Sequence, residues 1–171
     1  MTEQTQISAG QMRSTLGRFC TGVTVVTTAD DEQAEVHAMT ANAFVSVSLD
    51  PPLVLVSVDH RARMHRLLPE NRRYGVSMLS ADQERIAMHF AGRPLTEHEE
   101  LFEWGGGVPF VRGAIAHVGC SLYEHHAAGD HTLYLGHVEH LATRPGKPLL
   151  FHLGSFGQIS PEESAAQTWG W

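Results

Sequence analysis

"HAMTANAFVSVSLDPPLVLVSV", residues 37–58, holds two runs of strand chemistry built in different ways. Leu53-Val54-Leu55-Val56 is continuously apolar, the composition of a deeply buried strand. In the run before it, Thr40, Asn42, Ser46 and Ser48 recur at every second or fourth place, among small residues that leave room beside the backbone. Alternation over 44–49 sets Val45, Val47 and Leu49 on one face and Phe44, Ser46 and Ser48 on the other, which predicts a half-buried strand. Asp50-Pro51-Pro52 must separate the two runs, because proline has no N–H to give to a ladder. Hydroxyls and an amide along a strand need an explanation. They either face solvent or form the wall of a binding site for a flat polar heterocycle and its sugar-like chain, and spacing alone leaves both readings open.

Outward from this stretch, Met12, Leu16 and Phe19 fall at i, i+4 and i+7, so residues 11–20 read as an amphipathic helix stopped near Gly22. "VTVVTT" at 23–28 reads as a strand and "ADDEQ" as a polar turn. Residues 61–68 form a short helix with Met64, Leu67 and Leu68 on one side, and "YGVSML" is a strand. Ser80 with Gln83 is a capping-box pattern for a helix through about Phe90. Residues 91–113 read as a long irregular connection, where a binding loop is expected. Two strand-like runs between 114 and 142 flank "AAGD", a hairpin signal. "RPGK" is a turn, "LLFHL" the last clear strand, and 161–171 a loosely held tail. Many short strands and few helices predict a mainly β domain with peripheral helices, a closed or nearly closed barrel. A βαβ unit around 53–79 is the second reading.

The 171 residues suit a single domain, with its core over about 10–160. No apolar run is long enough for a membrane helix, and the first residues lack the apolar core of a secretory signal. Cys20 and Cys120 form no CxxC, so reduced thiols and a cytoplasmic location are expected. The net charge of −7 argues against a nucleic-acid or membrane-surface binder. Within that acidic chain Arg61, Arg63, Arg66, Arg72 and Arg73 cluster, as a phosphate site or simply as a solvated helix face. Arg61 and Arg63 lie near a helix start, where N–H groups and guanidinium together favour phosphate. Arg72 and Arg73, beyond a proline, read as solvated.

The common nucleotide and hydrolase motifs are missing: there is no GxGxxG, no GxxxxGK[ST] and no GxSxG. The twelve histidines show no HExxH or CxxC spacing, so no metal site is expected. Gly129-Asp130-His131 combines a residue suited to a tight turn with a carboxylate able to orient an imidazole. Taken alone, these three residues read first as a hairpin turn with an exposed histidine.

Together, "GRFCTGVTVVTT" (17–28), "MTANAFVSVSLDPPLVLVS" (39–57), Phe90-Ala91-Gly92 and Gly129-Asp130-His131 resemble, in order, the short-chain flavin reductases. These are the NAD(P)H:flavin oxidoreductase components of two-component monooxygenases. The resemblance implies a homodimeric FMN-binding split β-barrel that passes reduced FMN or FAD to a partner monooxygenase, with NADH favoured over NADPH. It places Thr40, Ala41, Asn42 and Ala43 at the isoalloxazine or ribityl region, with Ser46, Val47 and Ser48 beside them. It places Ser57, Arg61 and Arg63 on the phosphate side, Phe90 at the flavin, and Gly129, Asp130, His131 and Phe156 at the nicotinamide. Ala38 stands where the family has glycine, Cys20 where it has alanine, and Phe156 where some members have tyrosine. Hydride transfer between stacked rings needs neither nucleophile nor metal from the protein, with His131 left to position the nicotinamide or balance protons. Two other readings use the same barrel: an enzyme acting on its own substrate with bound flavin, and a non-enzymatic redox sensor or carrier.

Overall fold

In the computed structural model, which describes residues 6–29, 35–95 and 100–160, the order of elements begins with helix α1 (Ala9–Leu16), β1 (Thr21–Gly22), β2 (Thr24–Ala29), β3 (Val36–Ala41), β4 (Phe44–Leu49) and β5 (Pro52–Asp59). It continues with α2 (Arg63–Asn71), β6 (Arg73–Met78), α3 (Glu84–Phe90), β7 (Phe102–Gly105) and β8 (Val108–Val111). Two long strands, β9 (Ala116–Ala128) and β10 (His131–Thr143), precede β11 (Leu149–His152) and β12 (Ser155–Gln158). The expected tail at 161–171 lies outside the described residues, as does most of the "ADDEQ" turn.

Seven strands form one antiparallel sheet in the order β3-β2-β6-β9-β10-β5-β4. Its two edges, β3 and β4, are consecutive in sequence and joined only by Asn42 and Ala43. Laid flat, six inter-strand steps would separate the edges by ~29 Å. Three Cα steps from Ala41 to Phe44 span at most ~11 Å. The sheet must therefore curl until its edges nearly meet. β3 and β4 do not pair, so the barrel stays split rather than closed, and the backbone N–H of Ser57 reaches the Ala43 carbonyl at 3.1 Å across the link. The βαβ alternative fails, since β5 and β6 are not neighbours and every pairing among the described strands is antiparallel.

Val26, Val54, Val56, Val58, Tyr74 and Tyr134 fill the inside of the curl, with Met64 and Leu68 of α2 over one end. A second cluster of Val25, Leu79, Ala87, Val111 and Leu149 lies on the other side of β2. β2 is thus buried on both faces, Val26 in one core and Val25 in the other. Gly136 on β10 faces inward with no room for a side chain. A Cβ there would run into the Tyr74 hydroxyl and approach the Cys120 Cβ to 2.8 Å.

Several expectations need correction. α1 starts at Ala9 because Ser8 and Gln11 form a reciprocal capping box, and ends at Gly17. Its apolar residues Met12 and Leu16, and Phe19 beyond it, stay exposed. The apolar residues of β4 stay exposed, Val45 and Val47 about half and Leu49 nearly fully. A register shift between Ser46 and Ser48 inserts Val47 as an extra residue, so Ser46 opposes Val54 and Ser48 opposes Leu53. Neighbouring residues point to opposite faces, so the bulge parts the two hydroxyls that alternation had placed together. The supposed irregular 91–113 contains the β7–β8 hairpin, turned by Gly106 (φ 54°) and Gly107 (φ 78°). "LLFHL" is not the last strand, because Leu153 (φ 49°) and Gly154 (φ 80°) turn the chain into β12. α2 runs through Pro69 to Asn71. Nor is Arg73 merely solvated: it donates to the Gly106 carbonyl at 2.7 Å and pairs with Glu139 at 3.3 Å, pinning the β7–β8 turn. Ser80 and Gln83 form half a box, Gln83 Oε1 accepting from the Ser80 N–H at 3.1 Å while the Ser80 hydroxyl turns to Asp82.

Replacing Gly136 by Ala will lower stability by about 1–3 kcal/mol through overpacking against Tyr74. Urea unfolding will show this as a lower midpoint at unchanged slope.

Candidate functional site

The link between the sheet edges is held from three sides. Thr40 donates its hydroxyl to the Ala87 carbonyl of α3 at 2.6 Å, Thr24 of β2 donates to the Ala41 carbonyl at 2.7 Å, and Ser57 of β5 donates to Ala43. Asn42 and Ala43 between these ties are exposed. The side chains of Asn42, Ser46, Ser48 and Ser57 find no hydrogen-bond partner among the described residues. A fixed backbone with small side chains and unused polar groups suits a flat, hydrogen-bonding ligand lying along it. The donor set therefore fits a flavin ring and ribityl chain.

One end of the strip is charged. Arg61 clasps Asp59 as a two-pronged pair, Nη2 to Oδ2 at 2.6 Å and Nε to Oδ1 at 3.1 Å, and the Arg61 N–H adds a third bond at 2.8 Å. These bonds hold the Asp59 carboxyl well below the usual carboxylate range and raise the Arg61 guanidinium. A phosphate arriving at Arg61 thus meets a guanidinium already committed. Arg63, on the first turn of α2, is more available: its side chain is exposed and its partners, His37 Nε2 at 3.3 Å and Glu35 at 3.7 Å, are looser. Ala62 supplies no side-chain cap to the first turn of α2, where the His65 N–H turns back to the Ala62 carbonyl at 3.0 Å.

Beside this pair, the Gly129-Asp130 turn joins β9 to β10, with Gly129 at φ 67° where a side chain would be strained. Asp130 Oδ1 lies 2.7 Å from His131 Nδ1, and His131 sits opposite Asp59 in the ladder. An ionised carboxylate only accepts, so Nδ1 carries the proton and the neutral ring presents Nε2 as an acceptor. The hydrogen bond from His131 is the main cause holding the Asp130 carboxyl below its ordinary value. Ser57, Leu133, Asp59 and His131 share one face of the sheet, because Leu133 opposes Ser57 and His131 opposes Asp59.

Phe90 and Phe156 stand apart from this group. Both pack against the second core cluster, Phe90 5.7 Å from Phe102 and Phe156 5.4 Å from Phe151. Phe90 lies on α3, whose Ala87 receives the Thr40 hydroxyl. A cleft of about 640 Å³ between Val36, Trp104 and Arg112 contains none of the expected site residues, and neither does one of about 470 Å³ around Asp82 and Lys147. Asn42, Ala43 and Ser46 are exposed, so on a single chain the strip is open. Sequence reasoning singled out the arginines and missed their partners Asp59 and His37. "VDHRARMH" shows the residues, but only the register shows that Asp59 faces His131.

Residues 16–160 match the flavin reductase like domain family. The chain is 49% identical over 155 residues to a NADH-dependent flavin reductase of Rhodococcus sp., covering 90% of this chain and 88% of that protein. Among solved structures it is similar to flavin reductase PheA2 in its native state, with TM-score 0.85 and 41% identity over 90% of this chain and 99% of that one. It is also similar to the Streptomyces globisporus C-1027 NADH:FAD oxidoreductase in complex with NAD and FAD fragments, with TM-score 0.81 and 39% identity over 90% and 93%. The chain belongs to the flavin reductase family, and its mainly β fold with peripheral helices is that family's split barrel.

Both depressed carboxylates act with one sign. Their pairing stabilises the folded state above the unfolded pKa and is lost only as pH falls through the lowered folded value. A carboxyl NMR titration of Asp130 will place its transition below the ordinary 3.8, and Asp130→Asn will leave the fold intact at neutral pH. A transition at or above 3.8 would contradict the His131 contact.

Proposed function

We propose that this chain is an NADH-dependent flavin reductase that binds FMN or FAD along residues 40–48 and delivers the reduced flavin to a partner monooxygenase. The observation that carries this is the placement, on neighbouring strands of one curled sheet, of an unpartnered polar strip and of a histidine whose tautomer is set by Asp130. Bound flavin supplies the hydride acceptor, and reduced nicotinamide the donor. The chain's own task is positioning. Thr40 to Ala43 offer backbone and amide groups to the ring, Ser48 and Ser57, which share a sheet face, line the chain beside it, and Arg63 takes the phosphate. His131 Nε2 accepts from the nicotinamide carboxamide and sets the ring's approach. Relatives support both cofactors: one of 40% identity is named an FMN reductase (NADH) and one of 39% a NADH-dependent FAD reductase. Others, of 32% and 39% identity, are named reductase subunits or components of monooxygenases.

The active form is a homodimer. The exposed apolar residues Val45, Val47 and Leu49 of β4 lie at a sheet edge beside the open strip, and a second copy covers this edge and completes the site. Reduced cysteines and the absence, among the described residues, of any helix long and apolar enough to cross a membrane suit action in the cytoplasm.

Purified protein will oxidise NADH at a rate that rises and saturates with added FMN or FAD, followed by nicotinamide absorbance. Absence of oxidation with either flavin and either nicotinamide would overturn the reading. Oxidation independent of added flavin would replace it with an enzyme that keeps its flavin for a substrate of its own. Val45→Glu, on an exposed position, will give a folded monomer by light scattering with at least tenfold weaker flavin binding. A dimer of unchanged flavin affinity would exclude β4 from the interface.

A further inference from the structure

Beneath His131 lies a polar knot that the hydride-transfer scheme leaves unused. Thr132, the next residue, faces inward and is only 5% exposed. Two imidazoles converge on its single hydroxyl: His60 Nε2 at 3.1 Å and His65 Nε2 at 3.0 Å. Their ring centroids are 4.7 Å apart. His60 also grips the turn by its backbone, its N–H donating to the Asp130 carbonyl at 3.0 Å. His65 is fixed from behind, because the buried Tyr134 donates its hydroxyl to the His65 carbonyl at 2.8 Å.

A hydroxyl carries one proton and two lone pairs, so it can serve both rings at once only in a narrow range of orientations. The knot thereby joins three elements, the loop after β5, helix α2 and the first residues of β10. Successive residues of a strand point to opposite faces, so a fixed inward Thr132 fixes the outward direction of His131. Asp130 sets which nitrogen of His131 carries the proton, and the knot sets where the ring stands. Its ladder neighbour Val58 is fully buried and apolar, so the Thr132 hydroxyl sits in an apolar setting, with Tyr134 as its one further polar neighbour among the described contacts.

We propose that Thr132, His60 and His65 are positioning residues that hold His131 for the nicotinamide. This rests on the reading of His131 given above. The test compares KM for NADH, KM for flavin and kcat in Thr132→Val, Thr132→Ser, His60→Ala and His131→Asn. Thr132→Val keeps shape and burial but removes the hydroxyl on which both imidazoles converge. It will raise KM for NADH about tenfold, the equivalent of about 1.4 kcal/mol, with KM for flavin and kcat within twofold. Thr132→Ser, which keeps the hydroxyl, will return KM for NADH to within twofold of the parent. His60→Ala, on an exposed loop position, will move KM for NADH in the same direction and supplies the test should Thr132→Val not fold.

Raised KM in His131→Asn with unchanged KM in Thr132→Val and His60→Ala would overturn the positioning role while leaving His131 in place. Unchanged KM in His131→Asn would remove the reading of His131, and the positioning role with it. Equal rises in both KM values without rescue by serine would show a merely structural knot.

Discussion

Two residues, Asn42 and Ala43, carry the chain between the opposite edges of a seven-stranded sheet, and most of the structure follows from that short tether. It forces the sheet to curl, and the curl creates an interior that Val26, Val54, Val56, Tyr74 and Tyr134 fill. Inside, large side chains must interleave, which is why Gly136 faces Tyr74. The tether is also the place where the barrel fails to close. Backbone that would otherwise enter a ladder is left at the surface, secured by α3, β2 and β5 through Thr40, Thr24 and Ser57. A ligand that approaches there meets a rigid main chain with small side chains, an arrangement that needs no further ordering on binding.

The charged end of the strip follows a different logic. Arg61 and Asp130 are exposed, Asp59 and His131 half-buried, and the four come close because β5 and β10 are in register. Their pairs add little stability in water, yet they fix directions: Arg61 is held by Asp59, and the His131 ring by Asp130. That division leaves Arg63 as the group with capacity for an anion. The protein supplies position, and the cofactors supply reactivity. This accounts for a chain with no nucleophile motif belonging to a family of oxidoreductases.

Much of this was legible in the sequence. The polar places in 37–58, the proline break, the β9–β10 hairpin and the apolar side of α2 with Met64, Leu67 and Leu68 are local patterns, and local patterns survive in one dimension. The β7–β8 hairpin was hidden because its strands are four residues long and three glycines obscure the turn. The bulge at Val47 was hidden because alternation reads a strand without its partner, and register is a property of two strands. The same holds for the site. The arginines were visible, but Asp59 opposite His131, and His60 with His65 on one hydroxyl, are products of pairing between distant segments. The exposed apolar residues of α1 and β4 look like core in the sequence, since amphipathicity does not say what covers the apolar face.

The central claim is that flavin binds at the open tether between the sheet edges and not in the cleft beside β7. The most direct test is an amide NMR titration of the whole protein with oxidised FMN. The account predicts saturable shifts at Asn42, Ala43, Ser46, Ser48 and Ser57, with Phe102, Glu103 and Trp104 unmoved. Shifts confined to Phe102, Glu103, Trp104 and Arg112, with the tether silent, would contradict it.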